Sequence, residues 1–203
     1  LLGSLTLLGV LGAPGIVRVM APGFFADPTA GELTVRLTRL MFPYLFLVGL
    51  AALVMGVLNA HRHFLLPALS PVALNVGIII GALVLAPRLP EPAMGLALGV
   101  LLGGAGQLLV QVPWLGRRGL LAMPQFAFHH PAVRRVLTLM APVVVGQSAT
   151  HVGTVINTII ASFLVKGSVS YLYYADRLIE FPLGVFAVAI ATAVLPTLSE
   201  QAT

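Results

Sequence analysis

Arg39-Leu40-Met41-Phe42-Pro43-Tyr44-Leu45-Phe46-Leu47-Val48-Gly49-Leu50-Ala51-Ala52-Leu53-Val54-Met55-Gly56-Val57-Leu58-Asn59-Ala60 holds no charged side chain after Arg39. A helix needs about 20 consecutive apolar residues to cross the hydrocarbon core of a bilayer. This run satisfies that length, and no soluble core helix requires it. Upstream, the apolar segment reaches back to Leu33, with Arg36 and Arg39 near its N-terminal end, and Pro43 predicts a kink. Outward from it, further apolar segments run from Leu1 to Met20, Phe64 to Ala86, Ala93 to Leu115, Val136 to Val165 and Tyr171 to Leu198. The expectation is an all-α polytopic membrane protein with six transmembrane helices.

Composition agrees. Of 203 residues, 59% are hydrophobic and 8% charged, and the mean hydropathy is +1.04. A soluble domain needs far more charge to cover its surface. The net charge of +5 would suggest nucleic acid in a soluble protein, but basic loops on the cytoplasmic side of a membrane explain it more simply. No basic run is interleaved with exposed aromatics, so no nucleic-acid partner is expected. Cysteine is absent, which excludes disulfides and thiolate metal sites. The chain opens on Leu1 inside an apolar run, without a charged leader or a cleavage site, and closes abruptly at Ser199-Glu200-Gln201-Ala202-Thr203. The expectation is a segment of a longer membrane protein.

Loop charge predicts topology. The turns after the first, third and fifth segments hold Asp27, Glu32, Arg88, Glu91 and Lys166. Those after the second and fourth, with the chain leading into the fifth, hold Arg62, Arg117, Arg118, Arg134 and Arg135 and no acid. The second set is expected on the cytoplasmic side. Arg36 and Arg39 count against this, because they fall just inside the outer end of the second segment. Either they line a water-filled cavity or the topology is inverted. Residues 116–135 are less apolar than their surroundings and read as an interfacial connector between two halves.

The sixth segment holds the densest intramembrane charge: Tyr171-Leu172-Tyr173-Tyr174-Ala175-Asp176-Arg177-Leu178-Ile179-Glu180-Phe181-Pro182-Leu183-Gly184. Charges within a bilayer are costly unless they are paired or face a cavity. Tyr173, Arg177, Glu180 and Gly184 share a helix face, Arg177 pairs with Glu180 at i,i+3, and Asp176 pairs with Tyr173 or stands unfavourably four residues from Glu180. Two readings stand: a structural ion pair near the outer surface, or a cavity-facing guanidinium that binds an anion. Arg suits phosphate because its planar fork grips two oxygens. In the fifth segment, Gln147, His151, Thr154, Asn157 and Thr158 recur at helical spacing, as interhelical hydrogen bonding or as a cavity and ion lining. Arg36 and Arg39 share a face behind Glu32, as snorkelling residues or cavity cations. There is no phosphate-binding Gly-rich loop, nucleophile elbow, HExxH or metal-ligand spacing, so no metal or catalytic residue is expected.

The order of these blocks resembles a known family. Arg39-Leu40-Met41-Phe42-Pro43-Tyr44-Leu45, Gly56-Val57-Leu58-Asn59-Ala60 and Phe64-Leu65-Leu66-Pro67-Ala68-Leu69-Ser70-Pro71-Val72-Ala73-Leu74-Asn75 resemble the MurJ (MviN) family of lipid II flippases. So do Ile156-Asn157-Thr158-Ile159-Ile160-Ala161-Ser162-Phe163-Leu164, Tyr173 to Val185, and Leu195-Pro196-Thr197-Leu198-Ser199. The resemblance implies a two-lobe, alternating-access carrier of the MOP exporter superfamily. Residues 1–115 would be the last four helices of the N-terminal lobe, 116–135 a cytoplasmic linker, and 136–203 the first two helices of the C-terminal lobe. It implies a multi-pass protein of the bacterial inner membrane, serving peptidoglycan and cell-wall biogenesis, whose partners are lipid II, membrane lipids and the remaining helices of the carrier. By the same resemblance, Arg177 stands where the family uses a cavity arginine for the pyrophosphate, and Glu180 at a nearby acidic cavity position; Asp176 beside them, with Arg36 and Arg39, joins the candidate substrate-binding residues on charge alone. Asn157 stands where some members carry a carboxylate linked to sodium, with Thr154, His151 and Gln147 beside it. No cofactor is implied, and coupling to sodium or to membrane potential is left open. The alternatives are another exporter of the superfamily, for polysaccharide-lipid or drugs, a structural membrane protein, and a membrane-embedded enzyme of polyprenyl phosphate. The Ala175-Asp176-Arg177-Leu178 block with Pro182-Leu183-Gly184 argues against the first, and the dispersed acids argue against the last.

Overall fold

The computed structural model describes residues 2–120 and 131–182. Every regular element among them is helical: α1 (Leu2–Met20), α2 (Pro28–Ala60), α3 (Leu65–Ile80), α4 (Pro92–Arg117), α5 (Pro131–Ser162) and α6 (Ser168–Pro182). A single 3-10 stretch, Pro22–Ala26, joins α1 to α2, and α3 runs on through a π turn at Gly81–Leu85 and a 3-10 turn at Ala86–Arg88. Five helices are long and apolar enough to cross a membrane. The sixth expected segment is described only as far as Pro182, and the connector only as far as residue 120 and from residue 131.

Local chemistry sets the ends. Asp27 caps α2, its carboxylate accepting hydrogen bonds from the Thr29 backbone N–H at 3.0 Å and the Thr29 hydroxyl at 2.6 Å. Pro28 follows at the first helical position, where its missing N–H costs nothing. The Thr29 hydroxyl, then its backbone N–H, hold the Asp27 carboxyl below its ordinary value of 3.8, against a smaller desolvation effect that raises it. A lowered carboxylate pKa stabilises the folded form above the ordinary value, and that contribution is lost as pH falls through the lowered one. Amide-exchange protection of the first turn of α2 is therefore expected to hold at neutral pH and to fall below pH 3.8. Asp27→Asn should remove that pH dependence; a variant that retains it would place its source elsewhere.

Packing is concentrated in α1 to α4. Glycines let α3 and α4 touch backbone to backbone: a Cβ on Gly77 would meet the Gly103 Cα at 2.4 Å, and one on Gly95 would meet the Ala86 nitrogen at 2.4 Å. Small residues bring membrane helices close in this way because van der Waals contact, not the hydrophobic effect, holds them together there. The α2 aromatics fill two more glycine notches, Phe42 at Gly9 of α1 and Tyr44 at Gly104 of α4. Between α3 and α4, the Gln111 side-chain amide donates to the Ser70 hydroxyl at 3.1 Å, and both side chains are buried (0% and 1% exposed). At the opposite end of α2 from its cap, Arg62 takes a left-handed φ of 57°. There His63 stacks on Trp114 with ring centroids 4.8 Å apart, and the Arg118 guanidinium lies 5.0 Å over the same indole.

The second group is looser. Among the described residues, α6 packs against α5 alone, and α5 reaches the first group only at α1 and the Pro22–Ala26 stretch. The faces of α5 between residues 133 and 154 are exposed where described.

Candidate functional site

α5 and α6 form a hairpin. The chain leaves α5 at Ser162, turns through Gly167 at a φ of 97° that favours glycine, and enters α6 at Ser168. Positions equally far from the turn on two helices of a hairpin lie at similar depth. Arg177 thus stands level with Thr154, and Glu180 with His151, to within about a turn. At about 1.5 Å per residue, Arg177 lies roughly 13 Å along α6 from its start at Ser168.

The expected face forms. Arg177 Nη1 donates to Glu180 Oε2 at 2.6 Å, and Arg177 Nε donates to the Tyr173 hydroxyl at 3.3 Å. The guanidinium carbon also sits 5.2 Å from the centroid of the Tyr173 ring. These bonds use two of the five N–H donors that a guanidinium carries. Both side chains of the ion pair remain open, at 60% and 62% exposure. The pair joins two positions of one helix at i,i+3, so it orients Arg177 along α6 and ties no second element to it. Tyr173 was expected on this face, but with Asp176 as one possible partner. Its hydroxyl instead serves Arg177, because the Nε–H can donate towards Tyr173 while Nη1 points to Glu180. Asp176 is exposed and makes no hydrogen bond or ion pair among the described residues.

Asn157 borders a cleft of about 490 Å³ between α5 and α6, where Ile160, Leu164, Tyr171, Leu172 and Ala175 make most of the wall. Thr154, His151 and Gln147 follow along α5 and are exposed like Asn157. The Thr158 hydroxyl is turned back onto the Thr154 carbonyl at 2.8 Å, satisfying the helix rather than facing outward. Among the described residues no group of His, Asp or Glu could hold a metal ion.

Arg36 and Arg39 lie elsewhere. α2 begins at Pro28, ahead of the apolar run, and its 33 residues make it about 50 Å long. The uncharged stretch 40–60 already spans about 31 Å, the thickness of the hydrocarbon. Arg36 and Arg39 thus precede a stretch that is by itself long enough to span the hydrocarbon. Arg36 pairs with Glu32 one turn back, while Arg39 is exposed with no partner among the described residues. α2 and α6 make no contact, so the two arginine sets are not brought together. Arg18, near the end of α1, sits 5.5 Å over the Phe25 ring, as a snorkelling residue does. One feature escaped the sequence reading: the Gly23 N–H donates to the Ser162 hydroxyl at 3.1 Å, joining the α1–α2 turn to the end of α5. A proline-glycine pair in a polar turn marks a tight bend but not what the bend rests on.

Residues 1–203 match the family model described as lipid II flippase MurJ. The chain belongs to that family. It is 42% identical over 203 residues to the probable lipid II flippase MurJ of Vibrio cholerae, covering 97% of this chain and 39% of that protein. The probable lipid II flippase MurJ of Haemophilus influenzae is 40% identical over 208 residues, covering 99% of this chain and 41% of its own length. The lipid II flippase MurJ of Burkholderia cenocepacia is 42% identical over 203 residues, with 98% and 39% covered. The chain thus spans about two-fifths of the length of the curated relatives it matches. Family membership, the apolar helices and the absence of any strand among the described residues together establish a multi-pass, all-α membrane protein.

Proposed function

We propose that this chain contributes helices to a carrier that moves lipid II across the bacterial inner membrane by alternating access. The observation that carries the reading is the Tyr173–Arg177–Glu180 face, an uncovered guanidinium in an otherwise apolar segment of a chain of this family. A cation there would be costly facing lipid and is useful facing a water-filled cavity. Its unused donors suit a pyrophosphate, whose charge is the costliest part of the substrate to bring through the membrane. Glu180 and Tyr173 aim the fork, and Asp176 borders the same site. Arg36 and Arg39, on α2 ahead of its uncharged stretch, would meet the headgroup from the first helix group. The close packing of α1 to α4 and the separateness of α5 and α6 support a division into an N-terminal lobe at 1–115, a linker at 116–135 and the start of a C-terminal lobe at 136–203.

No bond is made or broken in this reading, so the protein is a carrier and not an enzyme, and it needs no cofactor. Asn157, with Thr154, His151 and Gln147, lines the α5 side at the depth of Arg177. A neutral amide at Asn157 offers a carbonyl ligand but no countercharge to a cation, which favours membrane potential over sodium bound there as the driving force.

The test is rescue. The complete reading frame that encodes this chain, expressed in cells depleted of their lipid II flippase, is expected to restore growth and shape. A protein inserted at normal levels that fails to rescue would overturn the reading in favour of an exporter of a different lipid-linked cargo.

A further inference from the structure

We infer that Gly23 and Ser162 form the outer latch of this carrier, a close contact that holds the α1–α2 turn against the end of α5 when the outer side is closed. The inference rests on the alternating-access reading above. By loop charge both turns belong to the outer side, and their direct contact places them on one side of the membrane.

The contact is built closely. Ser162 Oγ donates its proton to the Ile159 carbonyl at 2.7 Å, which leaves a lone pair to accept the Gly23 N–H at 3.1 Å. The hydroxyl is thus satisfied in both directions. Ser162 is 5% exposed, at the end of a helix whose side chains are otherwise largely open. A Cβ placed on Gly23 would lie 2.0 Å from the Ser162 carbonyl oxygen and 2.7 Å from the Phe163 nitrogen. Both obstacles are backbone, which cannot swing aside as a side chain would. Any residue other than glycine must push the turns apart.

The placement gives the contact its role. Among the described residues, α5 and α6 touch the first helix group only through α1 and the Pro22–Ala26 stretch. Further along, α5 presents exposed faces. The two groups are therefore joined at the outer end and apart below it, as a carrier closed outward must be. Lys166 on the α5–α6 turn also favours the ionised form of Asp27 on the facing turn, so charge across the contact is complementary. A single neutral hydrogen bond and a small backbone contact make a join that can break on every cycle. A broad apolar seal there would hold the outer side shut.

The experiment uses the complete reading frame in its own membrane; the 203 residues contain no cysteine, and any elsewhere in the frame is first replaced by serine. Ser162→Cys and, separately, Val165→Cys serve as reporters for a membrane-impermeant maleimide applied from outside. Val165 is 77% exposed on the same turn. With Gly23 intact, the Ser162→Cys thiol should react at least about tenfold more slowly than the Val165→Cys thiol. Adding Gly23→Val should raise the Ser162→Cys rate by about tenfold, with Gly23→Ala between, and leave the Val165→Cys rate unchanged. Equal rates at the two reporters in the Gly23 protein would overturn the latch, and this comparison needs no glycine variant to fold. So would a Ser162→Cys rate indifferent to Gly23→Val in protein that is normally inserted. The labelling does not depend on any substrate. Slow labelling without rescue strikes the lipid II reading alone, and rescue with equal labelling strikes the latch alone.

Discussion

Gly99→Val is expected to break the α3–α4 seam. A Cβ on Gly99 would lie 2.7 Å from the Gly77 carbonyl oxygen and 2.8 Å from the Gly81 Cα. Both are backbone atoms of α3, so no rotamer change on either helix can relieve the clash. Forcing extra methyl groups into a packed core typically costs about 1–3 kcal/mol, and here the only relief is to move α3 and α4 apart. That movement also opens the contacts at Gly77–Gly103 and Gly95–Ala86 and stretches the Gln111–Ser70 hydrogen bond. The effect should therefore exceed that range. Thermal unfolding in detergent checks it, with Gly12→Val as reference because nothing lies within 4 Å of a Cβ on Gly12. Gly12→Val should leave the midpoint near that of the unaltered protein, whereas Gly99→Val should lower it strongly or prevent recovery of folded protein. Equal midpoints for the two variants would remove the seam from the account.

The second large effect is expected at Arg177, and on function instead of stability. Arg177→Ala removes the guanidinium that the Tyr173 hydroxyl and the Glu180 carboxylate hold in place. A hydrogen bond to a charged group contributes about 1.5–3 kcal/mol, so losing the grip on a pyrophosphate should lower flipping by about 10- to 100-fold. Arg177→Lys keeps the charge but not the fork and should fall between alanine and the wild type. Glu180→Gln leaves the cation in place but loosens its aim, and should be milder than Arg177→Ala. None of these should shift the unfolding midpoint noticeably, since both side chains are left uncovered, at 60% and 62% exposure, and among the described residues the pair joins positions of one helix only. Rescue assays paired with thermal unfolding read both quantities. Full rescue by Arg177→Ala would take this residue out of the transport path; a large midpoint shift would make it a structural residue instead.

Hydropathy exposed most of the helices because membrane spans must be apolar over a fixed length, and the runs ending at Met20 and Ala60 show this directly. It failed where a helix is helical for other reasons. α2 starts at Pro28 because Asp27 caps it and Pro28 fits the first turn, yet the residues up to Glu32 read as a polar turn, and Arg36 and Arg39 as charges just inside the outer end of the segment. The Tyr173–Arg177–Glu180 face was legible because period and charge agree within one helix. Asp176, by contrast, could not be assigned from spacing, since Tyr173 lies within reach of two neighbours and only geometry shows which one it serves. The Gly23–Ser162 contact lies 139 positions apart in the chain, and no local pattern encodes a meeting of that kind. The partner glycines at 77 and 81 of the α3–α4 seam emerge only once the two helices are laid side by side.

The contrast between the well-packed first four helices and the largely open α5 also bears on how the protein is made. Chains enter the membrane from the N-terminus, and structural units tend to settle in that order. Once α4 has been released, α1 to α4 already hold their glycine seams and their buried Gln111–Ser70 bond. α5 arrives with Gln147, His151, Thr154 and Asn157 uncovered and little to shield them but α6. For that interval it is the part of the chain most open to the proteases and insertion chaperones that survey unfinished membrane proteins. Its lifetime in the cell should depend on how soon its remaining neighbours arrive.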